Sequence, residues 1–547
     1  MTKNINIVGI SVAHDSSAAL YTNGKLSLFF KEERLTRKKR DKPPFLSILE
    51  ISKNFKEPID AIIISSPTNG DPGNSLIADY ASRILKCNNI IDLSDKHHLC
   101  HASLAFYNSG FDKANVIVID RNGSIVGGVA REAETIYSAS YPNIFTEIYK
   151  NYWNLTEDKD HLNKVFSNVR NEKPNCEINY LSSFSITKVY ETATTLIGQH
   201  MLENGKTMGL SAYGKTVSGP NMFLENGLAH DLFFSHTDSW EAINKNHLDK
   251  INNNITESNH EFYSNYAYSV QKHTQEQVAM LVEKSINKTG IKKICITGGY
   301  ALNVVCNGFL LNKFPDAEFY FEPIADDNGN SIGAAMLYYR MQTNDISINK
   351  IETTFTHGIN HDLSKIEGID CSVSDIANLI VNNKSVAIYN GLAESGPRAL
   401  GNRSILYNAL NKNAKTNVNI IKKREWYRPF AAAVLQEDAK IYFKMPIESS
   451  PYMTASFNIN YEHKELLTGV MHVDGSCRIQ TLDRSSEPIR LLLEEIKNIS
   501  GHGIVLNTSF NLAGEPLVET PEEAISVLKS SDLDYIWFPE IQKLVSK

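Results

Sequence analysis

INIVGISVAHDSSAALYTNGKLSLFFKEE, residues 5–33, alternates apolar runs with tight turns, which predicts strand, turn, strand, Asn-Gly turn, strand. ANVIVIDRNGSIVGGVAREAETIYSAS, residues 114–140, follows the same plan. In each copy an apolar strand ends at an acidic residue, Asp15 or Asp120, followed by small polar residues. Such a turn brings a carboxylate and backbone N–H groups to one cleft, which suits phosphate or a metal ion. Ordinary hairpin chemistry accounts for the pattern equally well.

Three glycine-rich elements accompany these turns. In KKICITGGYALNVVCNGFLL, residues 292–311, a strand runs through Gly298 and Gly299 into a helix, letting a phosphate or ribose approach the backbone. GKTMGLSAYGK, residues 205–215, is a second such element, and ADDNGNSIGAA, residues 325–335, sets Asp326 and Asp327 before a small-residue helix start. Together they predict a two-lobed α/β fold whose loops meet at one cleft. HHLCHASLAF, residues 97–106, adds two histidines, His97 and His101, at i and i+4. On a helix that spacing lets both rings hold one metal ion. The glutamate of H-E-x-x-H is missing, so the pattern is not that of a zinc peptidase. Capping and packing are the plain alternatives for these rings.

The chain turns polar at MQTNDISINKIETT, residues 341–354, and then changes character. Arginines now sit inside glycine-rich turns and beside apolar strands, in GLAESGPRALGNRSIL (391–406), IKKREWYRPFAAAVL (421–435), HVDGSCRIQT (472–481) and IVLNTSFNLAGEPLVETPEEA (504–524). Arginine so placed commonly holds a carboxylate or phosphate bidentately. Ion pairing with Glu394, Glu425 or Glu515 would account for part of the set.

At 547 residues the chain exceeds one ordinary core, so two to four domains or lobes are expected. A 42% hydrophobic and 21% charged composition is that of a soluble globular protein, and a net charge of −7 gives no global case for nucleic acid. The seven cysteines are scattered without a C-x-x-C, which argues against a disulfide framework or zinc ribbon and for a reducing, cytoplasmic setting. The start reads as a strand and not a signal peptide, and no apolar run suits a membrane span. An Asn/Lys-rich stretch over residues 244–261 reads as a surface insertion or mobile loop.

The ordered set HDSSAAL, EERLTR, HHLCHA, GKTMGLSAYG, GGYALN, DDNGNSIGAA, GPRALGNRSI, KKREWYRPF, HVDGSCRIQT and NTSFNLAGEP resembles the NodU/CmcH O-carbamoyltransferases over nearly the whole chain. The resemblance implies an α/β chain in three parts. Residues 1–345 would be an actin/Hsp70-like (ASKHA) carbamoyl-transfer domain similar to threonylcarbamoyl-transfer proteins. Residues 346–359 would be a linker, and 360–547 a YrdC-like domain that forms carbamoyl-adenylate. ATP and carbamoyl phosphate are the implied co-substrates. Arg398, Lys422, Arg428, Arg478, Asn507 and Ser509 would bind carbamoyl phosphate. Lys206, Gly209, Gly298, Gly299, Asn303, Arg424 and Asn511 would contact the nucleotide. His97, His101, Asp120 and Asp327 would ligate a divalent metal ion, Fe²⁺ or Mn²⁺ before Mg²⁺. His14, beside Asp15, would be the general base for the acceptor hydroxyl, with a structural hydrogen bond as its other role; His98 is left structural.

Three departures from the family pattern stand out. YNALNKN follows GNRSIL where an Asp-Pro element is usual, Arg121 follows Asp120 where glycine is common, and Trp426-Tyr427 fills a position of smaller pairs. The acceptor is expected to be a small-molecule or glycan hydroxyl. The alternative is a hydroxymethylated pyrimidine, such as 5-hydroxymethylcytosine in phage-type DNA, gripped by KEERLTRKKRDK (residues 31–42) and Arg121. A tRNA threonylcarbamoyl-type enzyme and a non-catalytic nucleotide sensor are further readings. No membrane partner is expected, and there is room for a homodimer.

Overall fold

The computed structural model describes residues 5–182, 185–216, 221–223 and 255–547. Residues 244–254 of the Asn/Lys-rich stretch lie outside the described residues. The fold is mixed α/β, and the chain forms two compact units. The first comprises Met1–Leu26 and Lys42–Ile351, the second Ser27–Asp41 and Glu352–Lys547.

The first unit is built on two sheets. β1 (Asn6–Ser11), β2 (Ser17–Thr22), β3 (Lys25–Lys31, of which Lys25 and Leu26 lie in this unit), β4 (Ala61–Ser65) and β5 (Ile90–Asp92) lie in the order β3-β2-β1-β4-β5. β2 is antiparallel to β1, while β4 and β5 run parallel to it. The second sheet contains β6 (Lys113–Ile119), β7 (Ile125–Val126), β8 (Ala130–Ser140), β9 (Ile144–Asn154), β10 (Glu177–Ser182), β11 (Lys293–Thr297) and β12 (Glu318–Phe321). Its order is β10-β9-β8-β6-β11-β12, with β7 paired to β8. Leaving aside β7 and β10, it repeats the first sheet, with antiparallel β8 in the place of β2 and parallel β11 and β12 in the places of β4 and β5. The repeated plan expected from residues 5–33 and 114–140 is this duplication. The central strand of each copy, β1 or β6, is almost wholly buried because it is covered on both faces.

Helices His97–Ser109 and Asn330–Thr343 lie against each other in this unit. A Cβ on Gly333 would stand 2.1 Å from the Cys100 carbonyl oxygen, so the two backbones are nearly in contact. That approach sets the Asp327 turn, which precedes the second helix, against the first turn of the histidine helix.

The second unit holds a nine-stranded sheet of β13 (Ile369–Asp370), β14 (Val386–Tyr389), β15 (Arg403–Tyr407), β16 (Ala431–Leu435), β17 (Ser456–Asn458), β18 (Ser476–Leu482), β19 (Ile504–Ser509), β20 (Tyr535–Phe538) and β21 (Lys543–Ser546). The order is β13-β21-β20-β14-β15-β19-β16-β18-β17. Alternation along β14 splits the core in two. Val386 and Ile388 join Ile376, Ile380, Leu492, Leu493 and Ile496 from helices Val373–Val381 and Ile489–Ser500. Ala387 and Tyr389 pack with Ala524, Val527 and Leu528 of helix Pro521–Ser530.

The contiguous division at 345 and 360 does not hold, because residues 27–41 belong to the second unit. Arg34, 1% exposed, stands 3.7 Å from Glu519, and its Nη2 donates to the Glu394 carbonyl. Arg37 donates to the carbonyls of Pro516 and Leu517. The Lys31 amide donates to His357 Nε2, so Nδ1 carries the His357 proton and faces Glu519 at 2.9 Å. The expected linker is likewise fixed in place. Ile351 N donates to the Asn108 carbonyl in the first unit, and His357 is fully buried in the second. Removing Arg34 would leave the Glu519 carboxylate buried with a neutral imidazole in place of a cation. Arg34→Ala is therefore expected to destabilise the second unit by about 3 kcal/mol. Chemical denaturation of the full chain checks this, with the loss appearing as a lowered midpoint.

Candidate active site

In the first unit, four side chains from three places in the fold converge. His97 and His101 come from the first turns of their helix, Asp120 from the end of β6 and Asp327 from the turn before Asn330. All four are buried, and one donor atom from each lies within 4.8 Å of the others. Asp327 Oδ1 is 3.2 Å from His97 Nε2 and 3.3 Å from His101 Nε2. Asp327 Oδ2 is 3.1 Å from His14 Nδ1, and His14 Nε2 is 3.1 Å from Asp15. The residues expected to bind metal and the expected base therefore form one cluster.

Charge explains the arrangement. Burial and the facing Asp327 both push Asp120 up, yet hydrogen bonding to His97 and the imidazole charges hold it below the usual carboxylate range. Burial likewise raises Asp327, and the hydrogen bonds from His101, His14 and His97 overcome it. Burial lowers His97, but Asp120 and Asp327 hold it up at about 10. For His14 the same opposition, with Asp327, Asp15 and Asp120 on the raising side, ends at about 9. His98, by contrast, is pushed down to about 4 by burial and hydrogen-bonds Thr135 at 2.8 Å, as befits a structural histidine.

The cluster suits a divalent cation. Two carboxylates face each other in a buried space and, among the described residues, the His101 Nδ1 has no hydrogen-bond partner and the donors are nitrogen and oxygen without thiolate. The groups around it were not legible in the sequence. The Gly299 amide donates to Asp120 Oδ1 at 3.1 Å, the Thr187 hydroxyl donates to the Asp120 carbonyl at 2.7 Å, and Asn330 faces His97 at 3.3 Å. Gly298 has φ +84°, and a Cβ there would meet the Ile119 carbonyl at 2.4 Å. This glycine pair thus lies directly on the Asp120 turn. Asn303 caps the following helix by accepting from Cys306 N and also bonds Gln271. Lys206 is paired with Glu203 and Gln199, and Gly209 is buried within helix Asn204–Ser211 instead of a loop. Arg121 pairs with Glu191.

The second unit collects cations. Arg398 feels Arg478 and Arg428, Lys422 feels Arg424, Arg428 and Lys39, and Arg424 feels Arg428 and Arg478. Burial first, then this mutual repulsion, pushes Arg398, Lys422 and Arg424 well down; for Arg478, burial and Arg428 end at about 10. The Lys422 ammonium donates to the Ser509 and Asn511 carbonyls and stands 3.2 Å from both side-chain oxygens, joining K-x-R to S-x-N. Arg424 donates to the Pro429 carbonyl and lies over Phe430. Asn507 reaches Gln480 and the Ala399 carbonyl beside Arg398, while Arg428 pairs with Glu425 at 3.5 Å. Arg403 is structural, fully buried and stacked on Tyr389 at 3.7 Å.

Two contributors take roles other than those read from the sequence. Lys39 comes from the threaded segment 27–41. Glu394, fully buried, accepts four successive amides, Leu400 to Arg403, on one carboxylate oxygen at 2.8–3.1 Å. This fixes the loop that carries Arg398.

The first unit thus carries a buried carboxylate–imidazole centre and the second a buried cation cluster, donor sets suited to a divalent cation and to anionic groups respectively. Comparison with known families makes this specific. Residues 73–336 match the model of the carbamoyltransferase N-terminus and residues 377–544 that of the carbamoyltransferase C-terminus, so the chain belongs to the carbamoyltransferase family. It is 26% identical to the nodulation protein NolNO of Sinorhizobium fredii over 95% of this chain and 77% of that protein. It is 28% identical to the uncharacterized protein MJ1058 of Methanocaldococcus jannaschii over 80% of this chain and 71% of that protein. Among solved structures it is similar to full-length HypF in its phosphate- and nucleotide-bound form, with a TM-score of 0.41 and 12% identity, covering 63% of this chain and 56% of that one.

Metal uptake by the first-unit cluster should release protons. His97 stays protonated up to about pH 10, and a ligating imidazole must be neutral, so binding displaces its proton and affinity rises with pH through the neutral and basic range. Calorimetric titration of Mn²⁺ in buffers of different ionisation enthalpy checks this. Proton release at pH 7 is expected, and it should diminish in His97→Gln.

Proposed function

We propose that the protein is an ATP-dependent O-carbamoyltransferase. It makes carbamoyl-adenylate from carbamoyl phosphate and ATP in the second unit and transfers the carbamoyl group to a hydroxyl in the first. The carrying observation is the cation cluster of Arg398, Lys422, Arg424, Arg428 and Arg478, whose buried members repel one another until a polyanion joins them.

Carbamoyl phosphate and ATP repel each other, and their encounter needs this density of positive charge. Arg398, on the Glu394-pinned loop, Lys422, Arg428 and Arg478 hold carbamoyl phosphate, with Asn507 and Ser509 as hydrogen-bonding groups. Arg424 and Asn511 hold the nucleotide. Water cleaves carbamoyl phosphate to carbamate and inorganic phosphate, a carbamate oxygen attacks the α-phosphorus of ATP, and pyrophosphate leaves. Positioning and charge neutralisation are the protein's part in this step.

In the first unit the acceptor hydroxyl attacks the carbamoyl carbon. His14 takes the hydroxyl proton, the bond from that carbon to the phosphate oxygen breaks, and AMP departs. A divalent cation, Fe²⁺ or Mn²⁺ before Mg²⁺, held by His97, His101, Asp120 and Asp327, would supply Lewis acidity for the carbonyl and charge for the phosphate. His14 stands 3.1 Å from both Asp15 and Asp327, and these carboxylates hold it up at about 9, so it acts as the base only from its neutral form.

The acceptor is a small-molecule or glycan hydroxyl. The inward ties of Arg34 and Arg37 favour this over a DNA grip by residues 31–42. Arg428→Ala should lower pyrophosphate release from ATP and carbamoyl phosphate by at least about 100-fold. His101→Ala should keep that release and lose carbamoyl transfer to an acceptor panel of sugars and a hydroxymethylcytosine oligonucleotide, read by mass spectrometry. Loss of transfer alone in both variants would refute the assignment of the two steps.

A further inference from the structure

One group beside the Asp120 turn has no part in the steps above. Thr187, whose hydroxyl bonds the Asp120 carbonyl, is the second residue of helix Ile186–Leu196, and Lys188 is the third. The Lys188 ammonium lies over the Trp153 ring, 4.7 Å from its centroid. Trp153 is paired across the sheet with Arg131, and Arg121 follows Asp120 in the same turn. Three cations thus gather here, and Glu191 stands between two of them. Arg121 takes one Glu191 oxygen in a close ion pair, and Lys188 reaches the other at 3.4 Å. Arg131 spends its guanidinium on the Pro67 and Gly123 carbonyls and the Thr68 hydroxyl.

Lys188 is therefore the under-neutralised member. Its side chain is 16% exposed, and its contact with Glu191 is long for a charge-assisted bond. Among the described residues, the buried indole N–H of Trp153 has no hydrogen-bond partner. Burial and the charges of Arg121 and Arg131 press Lys188 below its ordinary pKa, with Glu191 opposing them. An ammonium on an aromatic face, beside an unused N–H donor and excess positive charge, is a seat for an anionic oxygen group.

We infer that Lys188 and Trp153 form an anion subsite of the acceptor pocket, so that the hydroxyl compound carbamoylated by this protein bears a phosphate group near the reacting hydroxyl. The inference rests on the carbamoyl-transfer reading and narrows its acceptor from hydroxyl compounds at large to phosphorylated ones. Arg121 and Glu191 act as positioning residues, since their pairing keeps Glu191 from neutralising Lys188 fully.

The test uses the full-length chain with a matched pair of probes, 5-hydroxymethyl-2′-deoxycytidine and its 5′-monophosphate, alongside inorganic phosphate. Titration calorimetry should show the monophosphate binding at least about tenfold tighter than the nucleoside, as expected for a charge-assisted contact. Lys188→Ala should erase that difference, and Lys188→Arg should retain most of it. Inorganic phosphate should compete with the monophosphate in the wild type and in Lys188→Arg, and lose that effect in Lys188→Ala. Equal affinities for the two probes in the wild type, or a preference that survives Lys188→Ala, would overturn the inference. A rise in KM for ATP in Lys188→Ala, with the probe preference unchanged, would assign the subsite to the nucleotide phosphate and also overturn it. Pyrophosphate release from ATP and carbamoyl phosphate separates the two levels. Its persistence alongside failed discrimination condemns the subsite alone, and its absence in the wild type condemns the reaction.

Discussion

Two carboxylates, Asp120 and Asp327, face each other in the buried centre of the first unit, and much of that unit answers to their repulsion. Three imidazoles turn toward Asp327, and the Gly299 amide turns toward Asp120. The helix crossing at Gly333 and the left-handed Gly298 are the backbone conditions for these contacts. A side chain at either glycine would separate the elements that carry the charged groups. The duplicated sheet thus serves one electrostatic end: the turns after its two central strands deliver Asp15 and Asp120 to one place.

The second unit solves the opposite problem. Two of its cations are ordered by carbonyl oxygens, which hold a charge in place without cancelling it. Lys422 rests on the carbonyls of Ser509 and Asn511, and Arg424 on that of Pro429. Glu394 spends one carboxylate oxygen on the amides that shape the Arg398 loop. In the proposed reaction this ordering in advance is what lets the cluster receive phosphate groups.

Much of this was legible in the sequence, for physical reasons. Apolar runs ending at an acid announced β1 and β6, and the i, i+4 spacing of His97 and His101 placed both rings on one face. Arginines inside glycine turns marked the cation cluster. What stayed hidden depends on partners far along the chain. KEERLTRKKRDK reads as a basic surface, yet Arg34 is buried against Glu519, and a one-dimensional charge count holds no trace of that pairing. The glycines of GKTMGLSAYGK suggest a loop, yet Gly209 lies in a helix whose buried face admits a small residue. Glu394 looked like an ion-pair partner for arginine, and only the folded turn shows one of its oxygens filled by amides.

The opposite charge of the two centres bears on why one chain would need both. Joining carbamoyl phosphate to ATP requires concentrated positive charge, and lysine and arginine around a hydroxyl do not provide a proton acceptor. Removing a proton from an acceptor hydroxyl requires a base, and in the proposed reaction His14 serves once it has released the proton that its neighbouring carboxylates hold. A single pocket holding both sets would pair arginine with aspartate and cancel each function. Arg121 shows the cost on a small scale: placed next to Asp120 in sequence, it is drawn to Glu191 instead. Separate centres of opposite sign are therefore what the proposed two-step chemistry demands, and the acceptor that enters the second step must satisfy whatever positive charge the first unit keeps beside its carboxylates.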